Sequence, residues 1–278
     1  DPEKRKKLVV YINPPYAEAS NARTVTGSGQ NRAGLSKSVV QEKYKSRLGR
    51  AGNELFAQFF ARIVDELPTT VLALFSTLKI VQAPNFREFR REFRAKPGRF
   101  FLVPANTFDN VKGDFPIGFQ IWHTAQKDVF NYIESDVYDS NGLFLEKKNL
   151  YPHENTKFII EWLRQYYDKK NEHLAYHRYS GTDFQHSKDV YITLNPYKAD
   201  IEQVKGNWIT KDNIIPMIIF FAVRHCIEAT WLNDRDQFLF PDDGWLNNFE
   251  FQTDCLIYSL FHGQNRISSE HGTNHWIP

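Results

Sequence analysis

The stretch "LVVYINPPYAE", Leu8 to Glu18, decides how this chain is read. A run of β-branched and aromatic residues drives straight into Asn13-Pro14-Pro15-Tyr16. Such a run, stopped by proline, predicts a buried strand over Lys7–Ile12 that ends in a rigid turn. Two prolines fix the backbone and bias the residue before them toward extended conformations. A rigid turn after a strand is therefore one sufficient account of the tetrapeptide.

A chemical account stands beside it. An exocyclic amine on an aromatic base is a poor nucleophile, because its lone pair is delocalised into the ring. Accepting hydrogen bonds from both of its N–H groups pulls the nitrogen toward a tetrahedral, nucleophilic state. The Asn13 side-chain oxygen and the Pro14 carbonyl oxygen are two such acceptors. Pro14 and Pro15 hold them without adding competing donors, and Tyr16 can stack on the base. A group of this kind belongs at the carboxyl end of a strand in an open α/β sheet.

Outward from the motif, residues 17–52 form a polar, basic stretch that reads as a long loop with one short helix. It holds Arg23, Arg32, Lys37, Lys43, Lys45, Arg47 and Arg50 against two acids, Glu18 and Glu42. Asn53–Glu66 has apolar residues at helical spacing, with Asn53 as the expected N-cap and Pro68 as the stop. Val71–Ile80 reads as a strand, Phe86–Phe93 as an amphipathic helix, and Phe100–Pro104 and Ile117–Thr124 as two more strands. Strands alternating with helices predict an α/β sheet.

After residue 125 the texture changes. "VYDSNGLFLEKK" reads as a hairpin turning at Asn141-Gly142. Helices are expected over Lys157–Lys169, Ile214–Trp231 and near Asp254–Phe261. The expected division is thus residues 1–125 and residues 126–278.

Composition narrows the class. The 278 residues are 41% hydrophobic and 24% charged, enough apolar material for a packed core. The net charge is only +2, so local distribution says more about partners than the average does. Two cysteines, Cys226 and Cys255, cannot build a disulfide framework, which fits a reducing cytoplasm. The longest apolar run, Ile214–Val223, is about half of what a bilayer needs. Asp1 opens the sequence and Met217 is its only methionine, so a piece of a longer polypeptide is expected.

The motif now carries a resemblance. "INPPY" resembles motif IV of the amino-methyltransferases that methylate adenine N6 in DNA, as found in restriction–modification systems. "NELFAQFFARI" resembles the helix with which that family touches its methyl donor. "TVLALFSTLKIVQAPNFREFRREF" is similar to the strand and helix that follow, and "RFFLVPANTFDNVKGDFPIGFQIWHT" to the closing strands. The likeness covers residues 5–125; residues 126–278 resemble the C-terminal region of such enzymes only loosely.

The resemblance implies a partial Rossmann-like methyltransferase fold followed by a mixed α+β region that chooses or braces the target. It implies Asn13, Pro14, Pro15 and Tyr16 as the catalytic set and S-adenosyl-L-methionine as cofactor, with Glu54, Leu55 and Phe56 beside it. Double-stranded DNA is the implied partner. Arg23, Arg32, Lys37, Lys43, Lys45, Arg47 and Arg50 would meet phosphates, and Phe115, with Phe119, would offer a second wall for a flipped base. The Gly-rich loop that such enzymes carry upstream of the motif is not seen, so the cofactor-binding half of the same polypeptide is an expected partner. A linked restriction nuclease is a further one.

Other readings share the motif. RNA adenine methyltransferases and enzymes that methylate a glutamine side chain present similar nitrogens, and a catalytically silent DNA-binding fragment is a different class again. "HLAYH" sets His173 and His177 at a spacing that can hold zinc, but no third ligand accompanies them, so no metal is expected. "PDDGWLNNFEFQ" offers acids at nuclease-like spacing, with Gln252 where a lysine would be wanted.

Overall fold

The computed structural model describes residues 8–14, 39–109, 111, 113–168, 170–203, 205–269 and 272–273. The chain divides into two units, Asp1–Glu154 and Asn155–Pro278. The first unit runs past the 125/126 position read from the sequence, because two further strands join its sheet.

The first unit contains β1 (Val9–Ile12), α1 (Val39–Leu48), α2 (Leu55–Glu66), β2 (Val71–Thr77), the single turn α3 (Lys79–Gln82) and α4 (Arg87–Phe93). Then follow β3 (Ala95–Pro104), β4 (Pro116–Lys127), β5 (Ile133–Tyr138) and β6 (Phe144–Leu150). The strands form one six-stranded mixed sheet in the order β1-β2-β4-β3-β5-β6. β1 is parallel to β2 and β3 to β5, whereas β4 is antiparallel to both β2 and β3. The α/β class expected from the sequence is what the unit adopts.

Side chains alternate between the two faces of a strand. Leu72 and Leu74 of β2, Leu102 of β3 and Trp122 of β4 are fully buried on one face. Against them, α2 and α4 bring Phe56, Phe60, Phe89 and Phe93, with the Phe93 and Phe100 rings 5.3 and 5.1 Å from Trp122. Arg90 of the amphipathic helix α4 is also buried. Its guanidinium donates to the carbonyls of Ile80, Ala83 and Pro152 at 3.0, 3.1 and 2.8 Å and pairs with Glu154. Burial with those partners satisfies a charge that would otherwise be costly inside.

Boundaries differ from expectation in informative ways. Asn53 does not cap α2: the 3-10 turn Gly49–Asn53 runs into it, and Glu54 takes the N-cap position. The strand expected over Val71–Ile80 stops at Thr77, where the chain turns into α3.

The second unit contains α5 (Ile159–Leu163), β7 (Ala175–Arg178), β8 (Tyr191–Thr193), α6 (Lys198–Gln203) and β9 (Asn207–Ile209). α7 (Ile214–His225), α8 (Phe249–Phe261) and the pair β10 (Ser268–Ser269) and β11 (Gly272–Thr273) complete it. Its core is the antiparallel sheet β8-β7-β9 with Met217, Phe220 and Phe221 of α7. Arg224 is fully buried there and donates to the carbonyls of Gly181 and Asp183 at 3.0 and 3.1 Å. α5 is shorter than the Lys157–Lys169 reading. Asp168 accepts from the Lys170 and Asn171 amides at 2.8 and 3.3 Å, and that turn competes with further helix.

This core also holds two neutral imidazoles. Burial pushes His177 down to about 3 and His225 down to about 4, from an ordinary 6.5. A histidine with a depressed folded pKa contributes stability that is present above pH 6.5 and lost as the pH falls toward the folded value. The second unit is therefore expected to lose resistance to urea progressively from pH 6.5 to 4. The check is its unfolding midpoint at several pH values, compared with a His177→Phe, His225→Phe double variant. A wild-type profile as flat as the variant's would refute this.

Candidate functional site

Because β1, β2, β3 and β5 all point the same way, their carboxyl ends share one edge of the sheet, and β4 starts there. Ile12 lies opposite Leu74, Thr77 opposite Ile117, and Pro104 opposite Pro116. Asn13 and Pro14 follow β1 directly onto this edge, with Asn13 exposed and Pro14 buried. The pairing of β1 with β2 fixes where the strand stops, and the missing proline N–H ends the ladder. Pro15 and Tyr16 lie outside the described residues.

Asn13 lies one residue beyond β1, whose Tyr11 side chain is exposed. The Tyr11 ring is 6.5 Å from Phe119 of β4, and Phe119 is 5.0 Å from Phe75 of β2 and 5.1 Å from Phe101 of β3. Phe101 in turn meets Tyr138 of β5 at 6.0 Å, and Tyr138 meets Phe144 of β6 at 5.8 Å. One aromatic from each strand thus forms a row across one face of the sheet. Phe115 is half-buried and packs on the small cluster of Val103, Ala105 and Ile117 beneath the edge. Of the two walls expected from the sequence, Phe119 is the one that adjoins the motif strand. Sequence reasoning missed Phe75, Phe101 and Tyr138; their signal was alternation within strands, which is visible only once the register between strands is known.

The N-terminus of α2 reaches the same edge. Glu54 is buried, and the Lys79 ammonium donates to its Oε1 at 2.6 Å, tying the start of α2 to the residue just beyond β2. Leu55 is half-buried. Phe56 lies in the core, its ring stacked on Phe86 at 5.5 Å with an 8° tilt. Of the three residues expected beside a cofactor, Leu55 alone is not buried.

Four of the expected phosphate contacts are described; Arg23, Arg32 and Lys37 lie outside the described residues. Lys43, Lys45 and Arg50 are exposed. Arg47 is not free in the same way. Its guanidinium donates to both Asp65 oxygens at 2.7 and 3.1 Å and, through Nε, to Glu92 at 2.8 Å. Hydrogen bonding to Asp65, then Glu92, raises its pKa and correspondingly lowers that of Asp65. Arg47 clamps α1 to α2 and α4.

The remaining constellations resolve structurally. His173 stacks on Trp208 at 4.2 Å, while His177 is on buried strand β7, so the pair is not a helical i, i+4 set. Among the described residues no group of three or more His, Cys, Asp or Glu side chains can hold a metal ion. Asp242 accepts from the Gly244 amide at 3.1 Å and Gln252 donates to the Trp245 carbonyl at 2.8 Å, so "PDDGWLNNFEFQ" is a turn and helix start. No helix among the described residues is long and apolar enough to cross a membrane.

Two outcomes follow from these placements. Arg47→Ala should lower the first unit's melting temperature by several degrees, whereas Lys43→Ala, Lys45→Ala and Arg50→Ala should leave it unchanged; calorimetry of the four variants decides. Lys79→Met should cost about 3–5 kcal/mol by stranding a buried carboxylate, and adding Glu54→Gln should recover much of that loss. A double variant no more stable than the single one would show that the pair is not coupled. Comparison with protein-family models and with curated proteins finds no match to this chain.

Proposed function

We propose that the first unit supplies the target-amine half of a site that methylates adenine N6 in DNA, with S-adenosyl-L-methionine as the methyl donor. One observation carries the reading: an exposed Asn13 followed by a buried Pro14, at the carboxyl end of a parallel strand where open α/β sheets bind ligands. The stretches that resemble the family's closing strands lie in the same sheet, as β3 and β4, which further supports a partial Rossmann-like domain.

In this reading the Asn13 amide oxygen and the Pro14 carbonyl accept both N–H groups of the adenine amine and localise its lone pair. Extruding the base from the duplex costs a few kcal/mol, and aromatic stacking at about 1–3 kcal/mol per base offsets much of it. Lys43, Lys45 and Arg50 meet phosphates. The second unit, residues 155–278, contributes to target choice, and both cysteines stay reduced, as the cytoplasm would keep them.

The methyl donor is not housed by Glu54, Leu55 and Phe56 alone. The Glu54 carboxylate is held by Lys79 and the Phe56 ring is in the core, so these residues do not fit it without a further segment. No step is assigned to them. That same observation favours a second reading, in which this chain binds nucleic acid without transferring a methyl group.

Label transfer from S-adenosyl-L-methionine tests the proposal, using this chain together with the cofactor-binding segment that the reading requires and offering DNA, RNA and protein acceptors side by side. Label in DNA adenine is expected. Asn13→Ala should lower kcat about 100-fold or more, as loss of one preorganised transition-state hydrogen-bonding group does, with KM for DNA changing far less. Label in RNA or protein moves the substrate class, and undiminished methylation by Asn13→Ala would falsify the assignment.

A further inference from the structure

The segment "REFRREFRAKPGR", Arg87 to Arg99, holds six Lys and Arg residues against two Glu. The fold commits the neighbouring acids elsewhere. Glu92 pairs with Arg47, Glu154 with Arg90, Glu66 with Arg62 and Glu134 with Lys147. Arg94, Lys96 and Arg99 are exposed, as is Lys127 of β4, and among the described residues no carboxylate pairs with any of the four. Arg94 Nε and Lys127 Nζ reach only backbone carbonyls, of Arg91 at 2.7 Å and of Phe93 at 3.5 Å. The strands fix how close these charges lie. Lys127 is opposite Ala95, between Arg94 and Lys96, and the Asp128 amide donates to the Arg94 carbonyl at 2.8 Å. Asp128 thus brings one acid to four cations. Like charges grouped in this way repel one another, and a bound polyanion relieves that repulsion.

Exposed rings lie at the same end of the sheet. Tyr132 precedes β5 and Tyr151 follows β6, next to the paired residues Ile133 and Leu150. β5 runs parallel to β3, so this is the end at which β3 begins. The two rings are 6.3 Å apart and 55% and 47% exposed, and Tyr151 is 6.2 Å from the His153 ring. Asn13 lies at the opposite end, and the ten residues of β3 set the two edges about 30 Å apart. We propose that this amino-terminal edge of the sheet binds a single nucleic-acid strand. Arg94, Lys96, Arg99 and Lys127 meet its phosphates, while Tyr132 and Tyr151 stack on its bases. Charge alone suits any polyanion. The exposed rings select one whose base faces are open, which a duplex does not offer. This edge acts apart from the amine-binding edge and needs no methyl donor.

Fluorescence anisotropy of a labelled oligothymidylate, titrated with the whole chain, is the test. The single strand should bind more tightly than a duplex of the same length. Lys96→Glu combined with Arg99→Glu should weaken binding at least about tenfold. It should also make the log–log salt slope about 1.4 shallower, at about 0.7 for each phosphate contact on a single strand. Both side chains are exposed, so the melting curve should not move. Tyr132→Ala should weaken binding about fivefold or more with the slope unchanged, whereas Tyr132→Phe keeps the ring and should bind as the wild type does. No binding by the wild type, or a duplex bound as tightly as the single strand, would overturn the proposal. So would an affinity indifferent to either the charge-reversed pair or Tyr132→Ala.

Discussion

A parallel strand pair cannot be closed by a tight turn, so the chain between β1 and β2 has to travel back along the sheet before it can pair. Helix α2 makes that return. Its N-terminus is therefore carried to the carboxyl edge of the sheet, where Asn13 also lies. Everything at the candidate site inherits its place from this pairing. The Glu54–Lys79 contact fastens the start of α2 to the end of β2, and Arg47 fastens α1 to α2 and α4. A four-residue strand is too short to hold such an edge by its own hydrogen bonds. It is held because the helix that returns from it is packed and tied.

The two faces of the sheet do different physical work. On the helix side, Leu72, Leu74, Leu102 and Trp122 are fully buried, and close packing there means that loss of even one side chain is felt. On the other side, the row from Tyr11 to Phe144 joins strands by cross-strand ring contacts worth about 0.2–1 kcal/mol each. Tyr11 at one end is well exposed, and Phe119, Phe75 and Phe101 behind it are half-buried. The row is thus exposed at both ends, Tyr11 at 63% and Phe144 at 49%, and half-buried between them. In the proposed reading an aromatic base would meet these rings beside the Asn13 amide.

Strands and turns were legible in residues 8–14, 71–77 and 139–144, because each carries its own local signal: β-branched runs, proline, and Asn-Gly at a turn. The burial expected of the first strand was not met, since β1 is an edge strand with Val9 and Tyr11 60% and 63% exposed. α1 was only half visible. Its sequence, VVQEKYKSRL, has little apolar periodicity, and its place depends on Tyr44 and Leu48 reaching a distant core and on Arg47 finding Asp65 and Glu92. The strand expected over Phe100–Pro104 begins instead at Ala95 and runs through Pro97, because a register shift between Pro97 and Phe100 absorbs a residue that cannot donate. At the site, Asn13 and Pro14 were readable from four letters. Phe75 and Phe101 were not, because one residue of register between strands decides which face they join. The cost of taking Glu54 and Phe56 as ligand contacts was of the same kind. Their partners, Lys79 and Phe86, are distant in sequence.

Removing Arg47 from the set of free cations changes the electrostatics of the proposed site. Six of the seven expected phosphate contacts then remain, three of them, Lys43, Lys45 and Arg50, among the described residues, and these three alone give a salt slope of about −3 in log–log form. Between 50 and 200 mM salt such a set loses roughly 40-fold in affinity, whereas six to ten contacts lose about 10³–10⁵. Phosphate contacts of this kind carry no sequence information. In the proposed reading, discrimination then falls on what charge cannot supply: the two oxygens of Asn13 and Pro14, which distinguish an amine from a carbonyl, and the rings that accept a base only once it has left the stack.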